Sequence, residues 1–412
     1  VASYATADFY AKPRSSLKSL CFIVESGTDV RLVEGLAQRF DLSIVARRIE
    51  GGVEISQTPN TEIPIAVGPA SRFAFARFVW GHLRKHRNEL NLVLVQGYGP
   101  AALVANLAGR FNRIPTAMIV CSPVEAYYRC RRENPVAGKS FRRRELFMLT
   151  ALARVNALVG RQYVVLSHFL ATVVNKHGSR APLSVIPVYG VASNLFTPPK
   201  ESKASLRARL GLPATGSLIF FSSRVAPEKD CATLLAAVRS LLDEGRDLWL
   251  LHRSGGYQTF IAEAEKFGVS ERVIATDAVH PHRDLPLDYQ ASDLCIQASR
   301  EEGLGFSPLE ALACEVPVVA TAVGGLMETI IDGETGWTFP IGDSHALARC
   351  IAQALDDRVE ASRRAAAGRK LVCARYERDV VFEQFERMSW LGAESETRDQ
   401  QSEVSGRQSE VK

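Results

Sequence analysis

None of the eight cysteines in this chain forms a Cys-x-x-Cys pair. They are scattered over positions 21, 121, 130, 231, 295, 314, 350 and 373, several of them inside apolar runs. That spacing excludes a zinc ribbon and a disulfide framework, and it reads as core usage in a reducing compartment. Long apolar runs are also missing. No stretch approaches the length of a membrane-spanning helix, although 46% of the residues are apolar and must bury a core. Residues 1–14 lack a hydrophobic signal core, so the expectation is a chain that is not exported. A strong charge imbalance is absent too: +5 over 412 residues argues against a dedicated nucleic-acid binder.

The length accommodates two domains of ordinary size. Residues 17–25 read as a buried strand, followed by Gly27-Thr28-Asp29, a helix over 30–40 and a strand over 42–46. A helix over 73–86, a strand over 92–96, a helix over 101–111 and a strand over 116–121 continue the alternation. So do short strands at 164–167 and 184–187. Alternation of this kind implies a parallel sheet covered by helices. A second series opens after Leu195-Phe196-Thr197-Pro198-Pro199-Lys200, whose prolines read as a linker. It predicts a helix over 205–210, a strand over 218–222, a helix over 231–242 and strands at 248–252 and 273–276. The expected division is therefore 1–190, a linker at 191–204, a second domain at 205–375, a helix at 376–391 crossing back to the first domain, and a disordered tail at 392–412.

The most informative stretch is 300–336. Residues 291–298, with the apolar run Leu294-Cys295-Ile296, read as a short helix end feeding a buried strand; the glycine loop Gly303-Leu304-Gly305 follows, and Ser307-Pro308-Leu309-Glu310 then opens a helix, with serine at the N-cap and proline in the first position. A further strand over 316–320 leads to Gly324-Gly325 and a second helix start at Leu326-Met327-Glu328. Two strand–glycine–helix units in succession place two helix N-termini beside each other, a site suited to phosphate. Two carboxylates, Glu302 and Glu310, flank the first turn with seven residues between them. Either they accept hydrogen bonds from ribose or hexose hydroxyls, or Glu310 only caps its helix and Glu302 is solvated.

Taken together, Ser299 to Glu310, Pro317-Val318-Val319-Ala320-Thr321 and Gly324-Gly325 resemble the donor site of the retaining GT-B glycosyltransferases called glycosyl transferases group 1, or family 4. Phe220-Phe221-Ser222-Ser223-Arg224 through Lys229 is similar to the arginine–lysine pair of that family. The resemblance is good from residue 183 onward and loose before it. It implies an α/β fold of two Rossmann-like domains facing across a cleft, and transfer of a sugar from a UDP- or GDP-linked donor to a hydroxyl acceptor on a glycan, glycolipid or small molecule. By the same resemblance Arg224 and Lys229 stabilise the leaving diphosphate, with backbone N–H groups of Gly303, Leu304, Gly305 and Phe306. Glu310 takes the ribose hydroxyls, Glu302 those of the transferred sugar, and Thr321 and Glu328 complete the wall. The chain has no Asp-x-Asp motif, so protein cations stand where a metal would, and neither metal nor cofactor is expected.

The sequence departs from the family pattern in several places. Where many relatives carry a histidine, this chain has Cys121 or Ser122, and Glu125, Tyr127 and Tyr128 beyond them are candidate acceptor contacts, together with Gly27 in the first loop. Arg253-Ser254-Gly255-Gly256 replaces a Gly-Asp-Gly loop, and Val188-Tyr189-Gly190-Val191-Ala192 replaces Asn-Gly-Val-Asp. A cluster of Arg129, Arg131, Arg132, Lys139, Arg142, Arg143 and Arg144 precedes the apolar residues 146–152. It suits a solvated face, the anionic inner surface of a cell membrane or a phosphorylated acceptor. Two other readings stay open: a sugar-nucleotide epimerase of the same fold, and a non-catalytic nucleotide-sugar-binding protein.

Overall fold

The computed structural model describes residues 17–49, 63–133, 141–277 and 284–388. Lys139, the histidines at 280 and 282, the leading residues 1–16 and the tail from 389 lie outside them.

Thirteen strands among the described residues form two sheets, every pairing parallel. The first contains β1 (Ser19–Val24), β2 (Asp41–Arg47), β3 (Ile65–Gly68), β4 (Leu92–Gln96), β5 (Thr116–Val120), β6 (Tyr163–Val165) and β7 (Leu183–Val185), in the order β3-β2-β1-β4-β5-β6-β7. The second contains β8 (Ser217–Phe221), β9 (Leu248–Arg253), β10 (Val273–Thr276), β11 (Leu294–Gln297), β12 (Val318–Thr321) and β13 (Trp337–Phe339), in the order β10-β9-β8-β11-β12-β13. Parallel strands covered on both faces are apolar throughout, and Leu20, Cys21, Phe22 and Ile23 are accordingly all buried. In each sheet the strand order reverses once, between β1 and β4 and between β8 and β11. Crevices for ligands open at such reversals, outside the carboxyl ends of the strands.

The helices of the first half are α1 (Val30–Arg39), α2 (Arg72–Lys85), α3 (Pro100–Asn112), α4 (Val124–Glu133), α5 (Arg143–Val159) and α6 (His168–Lys176). Those of the second are α7 (Lys203–Leu210), α8 (Cys231–Asp243), α9 (Tyr257–Lys266), α10 (Leu285–Ala291), α11 (Phe306–Ala313), α12 (Ser344–Asp356) and α13 (Arg358–Arg375). A last helix, α14, covers residues 378–388. Side-chain caps set many of the starts: Asp29, Ser167, Asp230 and Asp343 each accept from a backbone N–H of the first turn.

Between the sheets the chain is held rather than loose. Phe196 is buried, and Val191 exchanges backbone hydrogen bonds with Tyr376 and Arg378. α14 packs on α1, where Arg39 meets Asp379 at 2.9 Å. A Cβ on Gly35 would fall 1.8 Å from the Phe382 ring, so only glycine admits that contact.

The helix start expected at Ser307 is displaced. α11 begins at Phe306 with Gly305 at the N-cap (φ 92°), and Ser307 instead donates to the Ser222 carbonyl at 2.7 Å. Gly305 takes the cap position because it alone there adopts a positive φ without strain. The second expected helix is a short 3₁₀ turn, Gly324–Glu328. Its glycines lie against the backbone of Glu302 and Gly303, where any Cβ would clash at 2.1–2.2 Å.

Candidate functional site

The carboxyl ends of β8, β11 and β12 converge on the turn Glu302–Gly305. Lys229 follows β8 in a 3₁₀ turn, Pro227–Lys229, and forms an ion pair with Glu302. Both side chains are nearly buried, at 13% and 10% exposure. The same Glu302 oxygen accepts from Ser299 Oγ (3.1 Å) and Gln297 Nε2 (3.3 Å), and Gln297 Oε1 accepts from Ser223 (2.9 Å). A carboxylate held by a cation and two neutral donors is fixed in place.

Glu310, one turn into α11, is buried and fully engaged. One oxygen is paired with Arg31 from the other half of the molecule, and the other accepts from Tyr289 Oη at 2.9 Å. Arg31 also binds Asp29 (2.8 Å) and Tyr189 Oη (3.1 Å) and lies over the Tyr189 ring at 4.3 Å. Burial would push the Asp29 carboxyl up, but the Arg31 guanidinium beside it holds it below the usual range. Tyr189 in turn stacks on Phe306, ring centroids 4.1 Å apart.

Other contacts bring the first sheet onto the same turn. Ser167 Oγ donates to the Gly303 carbonyl at 2.6 Å, and a Cβ on Gly303 would fall 2.6 Å from the Cys121 carbonyl oxygen. Glu328 accepts from the N–H groups of His168 (3.0 Å) and Phe169 (2.7 Å), so its carboxylate caps α6. Arg131 of α4 pairs with fully buried Glu228 at 3.0 Å. Burial would raise the Glu228 carboxyl, yet Arg131 and, more weakly, Arg224 hold it below the ordinary range.

The expected residues therefore divide. Lys229, Glu302, Gly303, Leu304, Gly305, Phe306 and Glu310 come together around one turn. Arg224 stands at the rim, 69% exposed and 3.7 Å from Glu228. Thr321 is buried, its hydroxyl donating to the Gln297 carbonyl at 3.3 Å, which turns it away from the opening. Tyr127 faces the cleft: burial raises its phenol, and the charges of Glu302 and Glu228 raise it further. Tyr128, about 100° further round the helix, points away and donates to Glu145 at 2.8 Å. Glu125 is bound to His177 at 2.7 Å, and Gly27 has open space around it. Burial pushes the Cys121 thiol up to about 12, so it stays protonated and is a poor nucleophile.

Several partners carried no expectation from the sequence, namely Arg31, Tyr289, Gln297 and Glu228, and Tyr189, Ser299 and Arg131 were given no role in holding these carboxylates. For Gln297 a signal exists, since an amide ending the apolar run Leu294-Cys295-Ile296 marks a strand end that meets polar chemistry. The basic cluster at 129–144 is not one face. Arg131 turns to Glu228, while Arg132 and Arg142 lie 3.4 and 3.8 Å from Glu145. No group of three or more metal-ligating side chains occurs among the described residues.

Residues 202–371 match the family model described as glycosyl transferases group 1. A D-inositol 3-phosphate glycosyltransferase of Xylanimonas cellulosilytica is 37% identical over 198 residues, 45% of this chain and 46% of that protein. A GDP-mannose-dependent alpha-(1-6)-phosphatidylinositol monomannoside mannosyltransferase of Mycolicibacterium smegmatis is 33% identical over 201 residues, 47% and 52% of the two chains. The chain thus spans about half the length of the curated relatives it matches. In three dimensions it is similar to HepE of Anabaena, solved with UDP and glucose, at a TM-score of 0.72 and 19% identity over 90% of this chain and 99% of that one. The shared architecture is the GT-B fold.

Proposed function

We propose that this chain, whose residues 202–371 match the family model of glycosyl transferases group 1, transfers a sugar from a UDP- or GDP-sugar to a hydroxyl acceptor with retention of configuration. The observation that carries this reading is the convergence of Lys229, Glu302 and Glu310 on the Gly303–Phe306 turn, at the strand reversal of the second sheet and against the first. Breaking the anomeric bond to the diphosphate develops negative charge on the leaving oxygen. Lys229, Arg224 at the rim and the N–H groups opening α11 stabilise that charge more in the transition state than in the ground state. Glu310 takes the ribose hydroxyls and Glu302 those of the transferred sugar. Since Lys229 and Arg31 hold these carboxylates, the donor must share or displace both cations. Thr321 and Glu328 serve the site through its walls, Thr321 by fixing β11 to β12 and Glu328 by docking α6.

Substitution proceeds on the front face, with the acceptor hydroxyl losing its proton to the departing phosphate. Protein cations do the work of a metal in this scheme. A panel of UDP- and GDP-sugars, with mass measurement of the products and proton NMR of their anomeric signals, tests it. Transfer to an acceptor hydroxyl with the anomeric configuration kept is the expected result. Free UDP with an epimerised sugar, formed without any acceptor, would make the chain an epimerase instead.

The acceptor reading extends to a cytoplasmic membrane surface. α5 exposes Phe147 (73%), Met148 (58%) and Leu158 (68%) beside exposed Arg142, Arg143, Arg144 and Arg154. Apolar side chains rimmed by arginines complement an anionic bilayer, and each basic residue near it contributes about 1 kcal/mol. None of the described helices is long and apolar enough to cross a membrane.

A further inference from the structure

The mild net charge of the chain hides an uneven distribution. Over its whole length 50 lysines and arginines face 45 acidic residues, but residues 91–200 hold 14 lysines and arginines against three glutamates and no aspartate. Three of those arginines meet in one place. Arg110 near the end of α3, Arg161 between α5 and β6, and Arg180 between α6 and β7 line a cavity of about 340 Å³, walled by Ala157, Leu158 and Ala181. No carboxylate lines it.

The fold brings the three together. β6 and β7 are parallel neighbours with Tyr163 opposite Leu183, and the Tyr163 N–H donates to the Pro182 carbonyl at 2.9 Å. The chain therefore enters both strands at one level, and Arg161 and Arg180 stand just before these entries. The loop carrying Arg161 is pinned. Tyr163 Oη donates to the Asn156 carbonyl at 2.5 Å, and Gly160 packs so close that a Cβ there would fall 2.0 Å from that hydroxyl. The cavity opens at the amino ends of the strands, opposite the cleft. Arg110 lies ten residues along α3 from Pro100, which follows the carboxyl end of β4. At the helical rise that is about 15 Å, so a ligand here is out of reach of the donor turn.

Basic residues at helix ends commonly answer the negative pole of the helix. Arg110 does so, its Nε donating to the Val159 carbonyl at the end of α5 at 2.9 Å. Arg161 and Arg180 do not: both are exposed, and among the described residues neither donates to a carbonyl or pairs with a carboxylate. Three like charges around one hollow repel one another, and a bound anion removes that cost. We infer that this cavity is a second anion site, separate from the donor cleft, and that it takes a phosphate monoester. A dianion matches the charge of the lining, and Arg161 and Arg180 present unengaged donor forks that fit phosphate oxygens. The cavity is larger than a bare phosphate, and Leu158, 68% exposed, offers with Ala157 and Ala181 an apolar wall to the carbon portion of the ester. Two sources supply this group, a soluble phosphorylated metabolite and an anionic lipid headgroup.

The test labels the exposed arginines of the full chain with phenylglyoxal and locates the adducts by peptide mass mapping. The probes are glycerol 3-phosphate and phosphatidylcholine vesicles with or without phosphatidic acid. Labelling of Arg161 and Arg180 should fall as a probe is added, while exposed Arg349 is labelled throughout. Protection by glycerol 3-phosphate alone makes the ligand a soluble ester, and protection by phosphatidic acid vesicles alone makes it a lipid headgroup. Protection by both assigns the site to the phosphate group itself. Calorimetric affinity for the protecting probe should fall roughly tenfold or more in Arg161→Gln/Arg180→Gln, which loses two charge-assisted contacts. It should change by less than about twofold in Arg129→Gln/Arg349→Gln, which removes the same charge elsewhere on the surface. All four arginines are exposed, so both variants should melt with the wild type. No protection by either probe, protection of Arg349 to the same degree, or equal affinity in the two double variants would overturn the inference.

Discussion

Replacing Glu310 separates the structural from the chemical part of the site. Its two oxygens hold Arg31 and Tyr289 Oη, both nearly enclosed. In Glu310→Ala the Tyr289 hydroxyl loses its charged acceptor inside the core, at about 1–3 kcal/mol. Arg31 keeps Asp29 but loses the second carboxylate, so its share is smaller than the 3–5 kcal/mol of a fully broken buried pair, about 1–2 kcal/mol. The sum, about 3 kcal/mol, exceeds the roughly 1 kcal/mol that a lost helix cap alone would cost. At about 2–4 °C per kcal/mol for a half of this size, Tm falls by roughly 6–12 °C. Glu310→Gln retains an oxygen for Tyr289 and should cost less than half as much. Differential scanning calorimetry of both variants measures this, and isothermal titration with UDP and GDP on the folded Gln variant measures the ribose contribution. A Glu310→Ala protein that melts with the wild type would refute the inter-half pairing. A Gln variant with wild-type nucleotide affinity would confine Glu310 to structure.

Lys229→Ala should lower turnover by a larger factor than it raises donor KM, because its charge matters most as the diphosphate departs, and EDTA should leave wild-type turnover unchanged; restoration of chelated enzyme by magnesium would sink the metal-free scheme. Burial outweighs Arg253 and pushes the Asp288 carboxyl up to about 6, above its ordinary value. The folded state therefore holds that proton more tightly, and the group's stabilisation is full below about pH 4 and lost as pH rises through about 6. Asp288→Asn should flatten the slope of unfolding free energy over that window, and identical slopes in variant and wild type would contradict the assignment. Phe147→Ser combined with Arg143→Gln and Arg144→Gln should abolish cosedimentation with phosphatidylserine vesicles at low salt and spare nucleotide binding. Wild-type protein that stays in the supernatant would leave α5 a solvated face.

What the sequence determined by itself is local in origin. Alternation of apolar runs and helical segments set two parallel sheets, since the pleat and the helix each impose a short-range period. The turn at Gly303-Leu304-Gly305 and the spacing of Glu302 and Glu310 were legible for the same reason: a glycine loop between strand and helix fixes where its neighbours point. The exact start of α11 was not, because Ser307 had a competing partner in the Ser222 carbonyl, 85 residues away. The same limit hid the larger part of the site. Arg31 and Glu310 are 279 residues apart and Arg131 and Glu228 are 97, and nothing within a few residues of any of them distinguishes a buried inter-half ion pair from a solvated charge. Tyr127 and Tyr128 make the point within one dipeptide, one facing the cleft and the other Glu145. Periodicity places side chains on an element, but which face meets which partner is settled only when burial of the apolar faces brings distant elements into contact and fixes the charges carried with them.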